Sequence, residues 1–240
     1  MENLKKSLQR SKTSLGAGAL IAVAVIIYAL FYTIYEYRVL GETGFPLDDA
    51  WIHFVFARNL ARGSGFSYNP GELIAGSTAP LWTVLLAGSD LLPGGAILWA
   101  KILGVFFLWT SGFLVYRIAR VFKMEWGVAV LLGMITVSTS RLVWGSLSGM
   151  EITLFITLAL LGLYLNSLTS EIGSLHNFLS TGSLALATLA RPEGLVIFLV
   201  VRVMDFFTLG SYGDRPLLKR NGFLTLIHTG LYGLMLLPAI

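Results

Sequence analysis

The chain contains no cysteine. That absence removes disulfides, thiolate metal sites and a cysteine nucleophile, so polar chemistry has to come from carboxylates, histidine, arginine and the backbone. Charge is scarce as well. Asp, Glu, Lys and Arg make up 12% of the 240 residues, about half the quarter that is usual in soluble domains. There is no internal repeat, no low-complexity tract and no stretch with the composition of a soluble domain. What fills the chain instead is apolar: 55% hydrophobic residues and a mean hydropathy of +0.76. Those values define a polytopic membrane protein. The net charge of +4 and pI near 9.4 are accounted for by the cytoplasmic bias of Lys and Arg in membrane chains, and no nucleic-acid partner is expected.

Long apolar runs give the expected topology. Residues 15–35 form about 21 uncharged positions, enough to cross a ~30 Å hydrocarbon layer. Before them, residues 1–14 carry Lys5, Lys6, Arg10 and Lys12 and read as a cytoplasmic tail. The run is too long for a cleavable signal peptide, and Tyr32, Tyr35 and Tyr37 mark its far interface. Further spans are expected at 97–116, 126–143, 150–168, 178–190, 195–207 and 223–240, about seven in all. The fold class is therefore all-α. Residues 80–92 are apolar but too few to span comfortably and end in Leu-Leu-Pro-Gly-Gly, so they are expected in the outer interface. In this scheme 38–96 form a first extracytoplasmic loop. Basic runs at Arg117, Arg120 and Lys123 and at Arg215, Lys219 and Arg220 fall inside, whereas the inner segment 166–177 has no Lys or Arg. The span interiors read as nearly uncharged, with the charges gathered at one outer face. The chain stops at Ile240 inside an apolar run, which reads as a truncated or unusually short protein.

The first loop concentrates the chemistry. Asp48 and Asp49 follow Pro46, and Trp51, Ile52, Val55, Phe56 and Leu60 have the spacing of an amphipathic interfacial helix that Gly63 would end. One Asp there caps the helix; two adjacent carboxylates exceed what a cap needs. Held near an apolar interface they repel, so at least one requires a metal, a cationic ligand or a raised pKa. Such a pair suits a general base, or the ligands of a divalent ion, beside an acceptor hydroxyl. His53 lies four residues after Asp49, and Arg58 and Arg62 share a helix face. The arginines either snorkel to headgroups or grip a phosphate. Glu151, where a helix begins, partners the helix dipole or faces the site. Arg191 and Glu193 form a turn, internally paired or contacting a donor phosphate, and Lys101 either snorkels or faces that phosphate.

Together these residues carry a resemblance. Asp48-Asp49-Ala50, Ala57-Arg58-Asn59-Leu60, Gly63 with Gly65, Tyr68-Asn69-Pro70-Gly71-Glu72 and Thr78 before Pro80-Leu81-Trp82 resemble the first extracytoplasmic loop of GT-C-type polyprenyl-phosphate-dependent glycosyltransferases. Among these the likeness is to the terminal arabinofuranosyltransferases of mycobacterial arabinan assembly and their wider bacterial relatives. Ser148-Gly149-Met150-Glu151 and Leu189-Ala190-Arg191-Pro192-Glu193-Gly194 resemble two further stretches of that group. The resemblance spans roughly residues 15–205. It implies a single GT-C transmembrane module over residues 1–240 in the cytoplasmic membrane, N-terminus inside and active site outside. It also implies transfer of a hexosyl or pentosyl group from a polyprenyl-phosphate donor to a glycan or lipid acceptor. Asp48 matches the aspartate treated as catalytic in such enzymes, with Asp49 beside it; His53, Arg58, Lys101, Glu151, Arg191 and Glu193 are the expected substrate-binding residues. A divalent metal ion on Asp48 and Asp49 is the one cofactor the pattern admits. Two departures stand out: Ala75-Gly76-Ser77 replaces a Glu-Gly-Tyr-like segment, which bears on acceptor choice, and the later helices and soluble domain of full-length relatives are missing, which bears on activity of the chain alone. The competing expectation is a non-catalytic lipid-phosphate binder, scaffold or transporter.

Overall fold

A computed structural model describes residues 2–72, 76–91, 93–168, 174–210 and 215–236. Ala75 of the departing segment and the end of the expected last span, 237–240, lie outside the described residues. Helix makes up 81% of the structure and no strand forms among the described residues, so the all-α expectation holds. The helices are α1 Glu2–Leu40, α2 Asp48–Ala61, α3 Pro80–Ala87, α4 Gly95–Val121, α5 Trp126–Ser138, α6 Ser140–Leu147, α7 Ile152–Ser167, α8 Leu175–Ala190, α9 Gly194–Gly210 and α10 Arg215–Leu236. Two stretches, Lys12–Leu40 of α1 and all of α4, are long and apolar enough to cross a membrane. A third crossing results if α5 and α6 are counted together. The chain divides into two compact units, Met1–Ala50 with Ile97–Thr153 and Trp51–Ala96 with Leu154–Ile240.

In the first unit α1, α4, α5 and α6 share a core of Ile21, Val25, Leu108, Tyr116, Val137 and Val143. Small residues set how close these helices come. A Cβ on Gly112 would stand 2.4 Å from Val137 Cγ1, and one on Gly133 would stand 2.8 Å from the Gly112 carbonyl oxygen. Lipid is as apolar as the helix faces, so close van der Waals contact rather than water expulsion holds such helices together. Indole hydrogen bonds add direction: Trp109 Nε1 donates to the Gly18 carbonyl and Trp126 Nε1 to that of Thr13, both at 3.0 Å. The residues expected as an N-terminal tail continue α1, whose 39 residues extend roughly 58 Å.

The single span expected at 126–143 is broken. α5 and α6 meet at an angle of 57°, with Thr139 between them in an extended conformation. The cause is local: Thr136, Ser138 and Thr139 each turn a hydroxyl back onto the carbonyl four residues earlier. Such back-bonding competes with the helical ladder and bends it.

The second unit packs α8 against α9, with α10 against both. Its core holds Leu184, Ala185, Phe198, Val201 and Tyr232, with the rings of Phe198 and Tyr232 stacked at 3.8 Å. α3 lies along α8 and buries Trp82, Thr83 and Leu86. Pro80 opens α3 at a position where its missing N–H is no loss. Ser174 caps α8 by accepting from the Asn177 amide. Arg191 takes an extended conformation before Pro192 and ends the helix.

Candidate functional site

Asp48 and Asp49 occupy the first turn of α2, both exposed, where the partial positive charge of the helix N-terminus favours carboxylates. The chain leading to them is held in the first unit. Glu36, near the end of α1, accepts from the Gly44 amide through Oε1 at 3.1 Å and from Lys101 Nζ through Oε2 at 2.6 Å. Lys101 is buried, so its ammonium is committed to that pair. Phe45 is buried beside Gly149, where a Cβ would fall 2.4 Å from the ring. Gly149 also has φ +81, a conformation that side-chain-bearing residues adopt with strain. Glu151, two residues on, is 4% exposed at the start of α7.

Along α2 the chemistry changes. His53 is 3% exposed, and its Nδ1 is hydrogen-bonded to Ser77 Oγ at 2.9 Å, which in turn is bonded to Thr83 Oγ1 at 2.9 Å. This relay ties α2 to α3 through Ser77. Arg58 lies 5.9 Å from the Phe54 ring centroid, a cation–π geometry. Asn59 Nδ2 donates to the carbonyls of Ser67 and Tyr68, organising the loop beyond Gly63. Tyr68 and Glu72 are exposed, and Glu72 accepts from Asn69.

Arg191 and Glu193 pair with each other. Arg191 Nη2 donates to Glu193 Oε1 at 2.9 Å, and its Nε approaches Oε2 at 3.4 Å. The hydrogen bonds from Arg191 hold the Glu193 carboxyl below the ordinary carboxylate range. Because the native pKa is depressed, the pair adds stability above the unfolded-state pKa and loses it as pH falls through the native one. With side chains 35% and 56% exposed, solvent screening keeps that contribution small. Arg191→Gln is expected to return Glu193 to the ordinary carboxylate range, read by NMR titration of its side-chain carboxyl.

A polar network deep in the second unit was not anticipated. Arg202, 4% exposed within α9, donates from Nη1 to Asn177 Oδ1 at 3.0 Å and from Nη2 to Asn166 Oδ1 at 3.2 Å. Asp205 Oδ2 sits 3.2 Å from Nη2, and Asp205 Oδ1 accepts from Asn166 Nδ2. Nearby, His228 Nδ1 is bonded to Thr181 Oγ1 at 2.7 Å, its ring 4.4 Å from that of Phe178. The stretch 195–207, expected as a span with a nearly uncharged interior, thus carries a buried charged pair. The sequence signal was an Arg and an Asp three residues apart within the apolar run 195–207.

Among the described residues no group of three or more His, Asp or Glu side chains converges as metal ligands. Asp48 and Asp49 would supply two carboxylates to a divalent ion, with water or phosphate oxygens completing its shell. No family model, no curated protein and no solved structure matches the chain.

Proposed function

We propose that the chain is a GT-C-type membrane glycosyltransferase that moves a sugar from a polyprenyl phosphate to a glycan or lipid acceptor at the outer face of the cytoplasmic membrane. In this reading α1, α4, α7, α8, α9 and α10, with α5 and α6 as one bent crossing, make about seven spans. α2 and α3 lie in the outer interface. The observation that carries the proposal is the exposed Asp48-Asp49 pair in the first turn of α2, on a helix that is anchored beyond them by the buried Ala50, His53, Phe56 and Ala57.

The chemistry follows from that placement. Asp48 takes the proton of the acceptor hydroxyl as its oxygen bonds to the anomeric carbon. The bond from that carbon to the phosphate oxygen breaks, and the electron pair leaves with the polyprenyl phosphate. Asp49 orients the acceptor, and with Asp48 it would hold a divalent ion if one binds, which would add positive charge beside the phosphate. Arg58, on the same helix as Asp48, is the candidate cation for the departing phosphate, since positioned charge acts most strongly where negative charge develops. Glu151 remains a candidate sugar contact, His53 acts by fixing α2 against Ser77, and Lys101 is directed to Glu36. Replacing Asp48 by Asn is expected to lower transfer by roughly 10²–10⁴-fold, with membrane insertion unchanged, in an assay with the full chain and lipid-linked sugar. Unchanged transfer would refute the assignment.

A second reading draws on the Arg202–Asp205 network, because ionisable groups inside membrane helices mark binding or transport paths. It makes the chain a lipid-phosphate binder or carrier. Parallel measurements of polyprenyl-phosphate binding and turnover separate the two, since a carrier binds without turnover.

A further inference from the structure

We infer that Glu36 is a positioning residue, which sets the Asp48-Asp49 tip by clamping the chain that leads into α2. The inference deepens the transferase reading, and its catalytic consequence rests on it.

The geometry is a three-point restraint within the first unit. Glu36 belongs to α1 and Lys101 to α4, 65 positions apart, and their 2.6 Å contact fixes the carboxylate between two long helices. The other oxygen of the same carboxylate accepts from the Gly44 amide at 3.1 Å, which stops the chain four residues before Asp48. Phe45, the next residue, is buried against Gly149, where a Cβ would overlap the ring. Backbone and side chain are thus anchored at consecutive residues, and Pro46 fixes φ just beyond them. A Lys–Glu pair that only neutralised two charges would not need the Gly44 amide. Here the carboxylate uses one oxygen for each role, so charge pairing and loop placement are coupled. Rigid placement matters because a catalytic group displaced by about 1 Å can lose roughly 10²-fold in rate.

The absence of cysteine makes the test direct. Leu47→Cys in the full chain, labelled with a nitroxide, reports motion one residue before Asp48 from a side chain that is only partly buried. In that labelled background Glu36→Ala should convert a restrained spectrum to a mobile one and lower kcat roughly tenfold to a hundredfold with KM for the lipid donor little changed. Glu36→Gln, the gentler variant if alanine impairs folding, retains an acceptor for the Gly44 amide and should be intermediate in both readouts. Exchanging the charges, Glu36→Lys with Lys101→Glu, restores the ion pair without the Gly44 bond, so the tip should stay mobile. A restrained spectrum in folded Glu36→Ala, or full restraint in the charge exchange, overturns the inference. If instead Asp48→Asn transfers normally, the transferase reading fails, while the label still decides whether Glu36 places the tip.

Discussion

Gly104→Ala should destabilise the protein by about 3 kcal/mol, at the upper end of what overpacking costs. A Cβ at Gly104 would lie 1.9 Å from the Ser146 carbonyl oxygen and 2.8 Å from its carbon. These are backbone atoms, so no rotamer change relieves the clash, and α4 and α6 would have to separate. Separation also strains the hydrogen bond that Thr153 donates to the Gly104 carbonyl at 3.1 Å. Gly16→Ala provides the contrast: nothing lies within 4 Å of its Cβ position, and in the middle of α1 the change should be neutral or stabilising by up to about 1 kcal/mol. Thermal unfolding of the two variants in the same detergent compares them directly. Equal midpoints would contradict the close approach of α4 to α6.

The second large effect concerns Arg202. Replacing it by Met leaves Asp205 without its counter-charge and strips a donor from both Asn166 and Asn177. Breaking a buried pair from one side typically costs about 3–5 kcal/mol, because the remaining charge stays desolvated. The double change Arg202→Met with Asp205→Leu should recover most of that loss, since removing both partners leaves no orphaned charge. Unfolding measurements on the two singles and the double form a mutant cycle that isolates the coupling. A double variant no more stable than Arg202→Met would place the origin of the loss elsewhere, in the Asn contacts or in the packing of Arg202 over the Phe198 ring at 5.8 Å.

Those two sites also mark where sequence reasoning stops. α1 and α4 were legible because a predominantly apolar run of membrane length has one dominant solution. α2 was legible from its apolar spacing, and its end two residues before Gly63 agrees with that stop signal. The turn at Arg191–Glu193 was readable from Pro and Gly. The break at Thr139 was not, because hydropathy counts Ser and Thr as tolerable in a span and does not weigh three hydroxyls folding back on neighbouring carbonyls. Nor were the partners of Lys101 and Arg202. From sequence Lys101 either snorkels or faces a donor phosphate, and its contact with Glu36 is not readable because the two lie 65 residues apart. Arg202 and Asp205 were absorbed into an apolar run because their asparagine partners sit on α7 and α8. For the candidate site, residue types and chain order were apparent from Asp48 onward. The clamp at Glu36 and the Ser77 relay required three-dimensional placement.

The indole bonds to α1 have a consequence for biosynthesis. Trp109 and Trp126 reach back 91 and 113 residues to the Gly18 and Thr13 carbonyls. At translation rates of about 5–20 residues per second, α1 therefore waits roughly 5–20 s in the bilayer before its first indole partner is made. During that interval its inward side, Ala17, Ile21, Ala24 and Val25, faces acyl chains, which are as apolar as those side chains but do not pack against them as closely as α4 and α5 do later. That side of α1 is thus kept from water before its partner helices are made, and the later tryptophans add hydrogen bonds to carbonyls of a helix already in place.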